Sequence, residues 1–100
     1  MADHLKFYIN GAWVDSLGSE TIEVINPSNE SVIGSVSAGT KEDIDVAVAA
    51  AKQAFKTFSF SSKDERIALL ESIIAEYEKR SDELAKTISE EMGAPLWLSN

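Results

Sequence analysis

The chain has 100 residues, a formal net charge of −8 and no cysteine. An apolar fraction of 44% supplies enough surface for burial to make intrinsic disorder unfavourable, and the missing thiols exclude a disulfide framework or a cysteine-based metal site. The negative charge would repel the phosphates of nucleic acids and anionic membranes, so we expect neither as a partner.

Residues 6–38 show the alternation and turn chemistry of two antiparallel β-hairpins. Asn10-Gly11 is the strongest short hairpin signal, because both residues tolerate the positive φ of a type I′ turn. In the second hairpin Ile22 and Val24 alternate with polar residues, and Asn26-Pro27 supplies the chemistry of a turn. The two hairpins predict a small ribbon that could not be stable alone.

The pattern changes to a helical period over residues 40–58. Thr40 and Asp43 form a capping box, in which each side chain bonds the backbone N–H of the other residue, here with Asp in place of the usual Glu. The apolar residues then recur at helical spacing and predict one packing face. They are Ile44, Val48, Ala51, Phe55 and Phe58.

A second helical segment covers residues 62–93. Ser62 and Glu65 form its capping box, and its apolar stripe is wide enough to favour a globular packing face over a coiled-coil seam. The segment is either one long helix with a kink or two helices, the second capped by Ser81. Gly93 predicts the end of the helix, because glycine readily adopts the left-handed conformation there.

These elements predict an α+β fold over residues 1–100, a single partial domain with no internal boundary. A chain of this length that folds as one domain would bury about two-thirds of its unfolded surface. However, the helices present wide apolar faces, the ribbon covers only part of them, and the apolar run Leu96-Trp97-Leu98 comes last. We therefore expect a piece of a larger domain; in the alternative, Trp97 folds back onto the helices.

The sequence offers little catalytic chemistry. It has no cysteine nucleophile, and its one imidazole, His4, lies in a terminal stretch expected to fray. Its five glycines match neither a dinucleotide-binding fingerprint nor a phosphate-binding loop. We therefore assign no catalytic and no cofactor-binding residue to this chain.

The termini and hydropathy bear on the compartment. No apolar run approaches the roughly 20 residues that cross a bilayer, and residues 1–6 lack the basic and apolar regions of a signal peptide. A cytoplasmic protein is the expectation, with an organellar matrix as an open alternative.

Several short signatures occur in a fixed order along almost the whole chain. They are Phe7-Tyr8-Ile9-Asn10-Gly11-Ala12-Trp13-Val14, Ile25-Asn26-Pro27, Val32-Ile33-Gly34-Ser35-Val36, Gly39-Thr40-Lys41-Glu42-Asp43-Ile44-Asp45 and Glu90-Glu91-Met92-Gly93-Ala94-Pro95. In this order and spacing, over about residues 6–98, the chain resembles the opening segment of the NAD(P)-dependent aldehyde dehydrogenases. The resemblance implies the N-terminal part of that family's α/β fold.

The resemblance also implies chemistry that lies outside this chain. In that family a cysteine thiolate attacks the aldehyde, hydride passes from the thiohemiacetal to NAD or NADP, and a glutamate-activated water releases the carboxylic acid. None of the positions with those roles falls within residues 1–100, so we expect the chain alone to bind no cofactor and to be inactive. The implied partners are the remainder of the subunit and further copies in a homo-oligomer.

A monovalent cation site is implied by the same resemblance. In many members its ligands include backbone carbonyls just before the Asn-Pro turn and a carboxylate two residues before the helix-ending glycine. These positions fall on Val24 and Ile25 for the carbonyls and on Glu91 for the carboxylate. Oxygen ligands suit a hard cation, and a further ligand of the family's site comes from outside this chain.

Two hypotheses of different classes follow. In the first, the chain is the N-terminal scaffold segment of an aldehyde dehydrogenase. In the second, it is a standalone acidic α+β interaction module without enzymatic activity, which binds a partner through its exposed helix stripe and Leu96-Trp97-Leu98. Under the first hypothesis, uncovered apolar stripes should make the isolated chain self-associate.

Overall fold

The computed structural model describes residues 3–100, which form two separate two-stranded sheets followed by helices. The strands are β1 (Lys6–Ile9), β2 (Ala12–Asp15), β3 (Thr21–Ile25) and β4 (Val32–Ser37). The helices are α1 (Lys41–Phe58), α2 (Lys63–Lys79), α3 (Ser81–Met92) and α4 (Leu96–Ser99). The predicted α+β class and both hairpins are confirmed.

The first hairpin turns at the predicted dipeptide. Asn10 and Gly11 have φ values of +54° and +77°, the pair of positive angles that a type I′ turn requires. This turn sets the antiparallel register, in which Ile9 pairs with Ala12 and Tyr8 with Trp13. The Tyr8 and Trp13 rings meet edge to face at 5.2 Å between centroids, although both remain largely exposed.

The second hairpin contains a β-bulge, and the segment around His4 pairs with the edge of β4 that does not face β3. Val24 pairs with Gly34 but Ile25 pairs with Val32, so the register shifts by one residue between them. On the far edge of β4, the His4 N–H donates to the Ser35 carbonyl at 2.9 Å, in a parallel bridge. The expectation that His4 frays is therefore wrong, because β4 offers an unpaired edge to this segment.

The N-caps predicted for α1 and α2 form in the structure, whereas the N-cap predicted for α3 does not. Thr40 and Ser62 both form complete capping boxes. The long helical segment divides at Arg80, which interrupts it with φ −113° and ψ 11°. Ser81 does not cap the new helix as expected: it is already helical, and its hydroxyl donates to the Glu78 carbonyl.

The C-terminal residues form one helical turn, α4, which contacts α3. The sequence signals gave no helix there, only an apolar run after a helix-ending glycine and a proline. Trp97 is 77% exposed, so the alternative in which it folds back onto the helices is wrong.

The described chain has almost no apolar core. Among residues 3–100, the one buried apolar side chain is that of Ala85, at 3% exposure. All 17 residues of α2 are exposed. The accessible surface is 7948 Å², whereas a compact protein of this mass exposes about 5,600 Å².

The overall shape agrees with that excess of surface. The chain measures 48 × 35 × 15 Å with a radius of gyration of 17.1 Å, against about 13 Å for a compact 100-residue domain. Its unfolded surface would be about 15,800 Å², so folding buries about half of it. The expectation of two-thirds burial is therefore wrong, because the helices spread into a flat layer and leave their apolar sides open.

The Asp43 carboxylate ties the β-ribbon to α1. It is 6% exposed and accepts hydrogen bonds from the Ser16 hydroxyl at 2.6 Å and the Leu17 N–H at 2.9 Å. It also accepts from the N–H and the hydroxyl of Thr40, which completes the capping box. One side chain thus satisfies donors on the loop after β2 and at the start of the helix.

These donors hold the pKa of Asp43 at about 2, below its ordinary value of 3.8, with the Ser16 hydroxyl as the largest cause and the Leu17 N–H next. Hydrogen bonds to a carboxylate favour its charged form. Because the folded-state pKa is depressed, the stabilisation is complete above about pH 4. It is lost as the pH falls toward 2.

We predict that Asp43→Asn removes this part of the acid sensitivity. The wild-type chain should lose resistance to denaturant between about pH 4 and pH 2, whereas the variant should be weaker throughout and change less over that range. Asp45→Asn is the matched control, since the Asp45 carboxylate is exposed and bonds only its i−4 neighbour Lys41, at 3.2 Å. Denaturant midpoints measured by circular dichroism at each pH test this, and parallel pH curves for both variants would contradict it.

Candidate functional site

The two carbonyl residues of the predicted cation site lie at the end of β3, opposite the bulge. Val24 is half-buried and Ile25 is exposed, and the register shift falls between them. The extra residue, Ile33, is on β4, and a bulge disrupts the ladder locally. The following turn is closed by Asn26, whose N–H donates to the Ser31 carbonyl at 2.9 Å.

The third predicted residue, Glu91, lies in the last turn of α3, and its side chain is exposed. The helix ends two residues later at Gly93, which has φ +74° and donates its N–H to the Ser89 carbonyl at 2.9 Å. The Ser89 hydroxyl donates to the Ala94 carbonyl at 2.7 Å, which fixes the chain as it leaves the helix.

Gly93 brings the end of α3 onto the turn after β3. A β-carbon at position 93 would lie 3.0 Å from Cγ of Pro27 and 3.6 Å from Oγ of Ser28. The two parts of the predicted site, although 66 positions apart from Ile25 to Glu91 along the sequence, therefore belong to one junction between the second hairpin and α3.

The donor set at this junction suits a hard cation. Carbonyl and carboxylate oxygens are the ligands that such ions prefer. Across residues 3–100, no group of three or more histidine, cysteine, aspartate or glutamate side chains could hold a metal ion. The chemistry of these donors thus fits part of an oxygen site.

The sequence missed the tertiary role of Asp43. The capping box was predicted, but the bonds to Ser16 and Leu17 span 27 and 26 positions and have no local signal. One hint was available: the third helical residue is Asp in place of the usual Glu.

An open groove of about 510 Å³ lies between the first hairpin and α1. Tyr8, Ile9, Asn10 and Gly11 form one wall. The other wall consists of small side chains one turn apart on α1: Ala47, Ala50, Ala51 and Ala54. We call this the alanine groove. It is a surface for packing, because its lining carries no titratable group except the Tyr8 phenol.

A second apolar surface is the stripe along α2. Its members recur three and four residues apart on one side of the helix, and each is between 42% and 59% exposed. They are Ile67, Leu70, Ile73, Ile74 and Tyr77. Within residues 3–100, no helix is both long enough and apolar enough to span a membrane.

The sequence profile of the aldehyde dehydrogenase family matches residues 13–100. The chain belongs to this family. A Staphylococcus aureus protein, itself named only as a candidate aldehyde dehydrogenase, is 54% identical over 99 residues, which are 99% of this chain and 21% of that protein. The recognition made from the ordered signatures is thus confirmed.

Solved aldehyde dehydrogenases share the fold of this segment. The enzyme from Bartonella henselae is 45% identical with a TM-score of 0.96 over 99% of this chain and 21% of its own. A variant of an aldehyde dehydrogenase from Pseudomonas syringae, solved with NAD+ and octanal, is 40% identical with a TM-score of 0.91. It is covered over 19% of its length, and 94% of this chain is matched.

The difference in length between this chain and its relatives is relevant to its function. This aldehyde dehydrogenase chain spans about a fifth of the length of the relatives it matches. Its β-hairpins and helices reproduce the corresponding part of those subunits closely, and the open apolar surfaces described above belong to that part.

We predict that Gly93→Ala loosens the junction at Pro27 beyond the cost of its backbone angle. A left-handed angle costs a non-glycine residue about 1–2 kcal/mol, and a β-carbon at position 93 also meets Pro27. Gly11→Ala is the matched control, since φ is similar but no atom lies within 4 Å of its β-carbon position.

Amide hydrogen exchange provides the measurement. Gly93→Ala should speed exchange in the last turn of α3 and in the turn after β3, whereas Gly11→Ala should affect only the first hairpin. Unchanged exchange at the α3 end in Gly93→Ala would show that the Pro27 contact does not hold the junction.

Proposed function

We propose that this chain is the N-terminal scaffold segment of an NAD(P)-dependent aldehyde dehydrogenase that oxidises an aldehyde to a carboxylic acid. In the complete enzyme, a cysteine elsewhere in the subunit attacks the aldehyde, and NAD or NADP accepts the hydride. The chain has no cysteine, so its contribution is to pack against and position the rest of the subunit. Alone it binds no cofactor and is inactive.

The observation that carries this proposal is the uncovered apolar surface on an otherwise well-capped fold. Complete capping boxes at two helices and a closed type I′ turn indicate a sequence suited to its local structure. Yet only one apolar side chain among the described residues, that of Ala85, is buried. Large exposed apolar faces mark interaction sites, and relatives with the same fold are about five times as long.

The alanine groove and the α2 stripe are the surfaces that we assign to the remainder of the subunit. Small side chains allow close approach of another backbone, and the α2 stripe resembles the buried face of an amphipathic helix. We also expect the complete enzyme to be a cytoplasmic homo-oligomer, without nucleic-acid or membrane partners.

Exchange of this segment into a known relative tests the function directly. We predict that the Pseudomonas syringae enzyme, with its matching segment replaced by this chain, reduces NAD+ with octanal, a pair that this relative's variant is seen to bind. The chain alone and the truncated relative alone should show no turnover. NAD(P)H absorbance provides the assay.

Two results would contradict the proposal. One is measurable aldehyde oxidation by the purified 100-residue chain. The other is a chimera that folds, judged by circular dichroism and sedimentation, but does not reduce NAD+; that result would favour the standalone interaction module.

We further propose that Val24, Ile25 and Glu91 contribute to a monovalent cation site in the complete subunit. The support is the junction at Pro27, which places the end of α3 on the turn that follows Ile25, together with the oxygen donor set. A carboxylate among carbonyls also supplies the negative charge that a cation requires.

We predict that Glu91→Gln in the chimera weakens the dependence of its stability on K+ or Na+. A cation that binds the folded state stabilises it increasingly as the cation concentration rises above its dissociation constant. The melting temperature should therefore rise with salt of the bound ion in the parent chimera and rise less in the variant. Glu71→Gln, another exposed helical glutamate, is the control. Equal salt responses in all three proteins would exclude Glu91 as a ligand.

A further inference from the structure

The turn of the first hairpin leaves an Asn-Gly peptide bond open to solvent. Asn10 and Gly11 are both exposed, and no atom lies within 4 Å of the position that a β-carbon on Gly11 would take. Asparagine is a chemically labile residue in proteins, and its side-chain amide can be attacked by the backbone nitrogen that follows it. The absence of a side chain on Gly11 removes the usual steric protection.

In the part of the chain that the structure describes, neither of the two groups that would react, the Gly11 N–H and the Asn10 carboxamide, is held by a hydrogen bond. There, the Gly11 N–H donates to no carbonyl in the turns, loops and caps, and the Asn10 carboxamide makes no hydrogen bond. A hydrogen bond to either group would have to break before reaction. At this turn no such bond opposes it.

The other two internal asparagines provide a contrast within the same molecule. Asn26 precedes Pro27, whose nitrogen carries no hydrogen, and its Oδ1 accepts from the Ser28 N–H at 2.9 Å. Asn29 accepts from the N–H and the hydroxyl of Ser31 at 3.0 and 2.7 Å. It is also followed by a glutamate in place of a glycine.

We propose that Asn10 is a site of spontaneous deamidation through a succinimide. The Gly11 nitrogen bonds to Cγ of Asn10, the Cγ–Nδ2 bond breaks, and the amide leaves as ammonia with the proton from Gly11. Water then opens the ring at either carbonyl, which leaves an aspartyl or an isoaspartyl residue at position 10. The net change is water consumed and ammonia released.

The two products affect the hairpin differently. An aspartyl residue tolerates the left-handed angle and mainly adds one negative charge to the chain. An isoaspartyl residue adds one carbon to the backbone of a turn that has only two residues, so the Ile9–Ala12 pairing must shift. Since Asn10 and Gly11 line the alanine groove, this product alters the surface as well as the strand register. The inference does not depend on the proposed function.

Ageing of the 100-residue chain in neutral buffer, followed by proteolysis and mass spectrometry with isoaspartate quantification, tests the proposal. We expect amide loss at position 10 with both products, slower loss at position 29 and none at position 26. Asn10→Gly keeps a type I′ turn, because Gly-Gly also suits it, and should abolish the isoaspartate signal of the first hairpin while leaving the slower loss at position 29.

Three results would overturn the proposal. The first is an intact Asn10 in the folded chain when the urea-unfolded chain deamidates, since the turn would then be protective. The second is amide loss that is equal at positions 10 and 29. The third is aspartate without isoaspartate at position 10, which would indicate direct hydrolysis in place of the succinimide.

Discussion

The arrangement of this chain depends on the carboxylate of Asp43. Its four hydrogen bonds join the loop after β2 to the first turn of α1, and few other contacts connect the ribbon with the helices. The approach of Gly93 to Pro27 forms the second junction. Polar and backbone contacts thus fix the layout that apolar burial would fix in an ordinary domain of this size.

Such an arrangement is unusual for a domain that is stable by itself. Helix caps and turns define each element locally, but hydrophobic burial supplies most of the stability of a domain, and α2 is exposed along its whole length. As part of an aldehyde dehydrogenase subunit, the same features are consistent with each other. The capped helices and the closed hairpins present preformed surfaces, and the alanine groove and the α2 stripe are the surfaces that we propose the remaining structure covers.

Local chemistry in the sequence predicted most of the fold. Asn10-Gly11, Thr40 with Asp43, and Ser62 with Glu65 each define a turn or a cap within four residues, so no tertiary information was needed. The break at Arg80 has no comparable local signal, because no side chain caps α3 and the expected Ser81 cap does not form. The edge pairing of His4 and the reach of Asp43 to Ser16 depend on contacts between distant segments, which one sequence does not reveal.

The candidate site was predictable only in part for the same reason. Glu91 and the Val24-Ile25 carbonyls came from the family resemblance, and the structure adds the Gly93–Pro27 contact that brings their elements together. Composition alone does not indicate the lack of a core, since 44% apolar residues is an ordinary fraction, whereas the wide apolar helix faces and the apolar run at Leu96-Trp97-Leu98 did indicate uncovered surface. The apolar content sets how much surface could be buried, whereas the positions of the helices determine how much surface is buried.

Hydrogen exchange along α2 tests the central claim most directly, namely that the open apolar faces belong inside a larger subunit. We predict that α2 amides exchange rapidly in the isolated chain at low concentration, because nothing covers the helix. They should be protected to the level of global unfolding when the same segment is part of a chimeric aldehyde dehydrogenase subunit. Equal protection of α2 in the two settings would contradict the account.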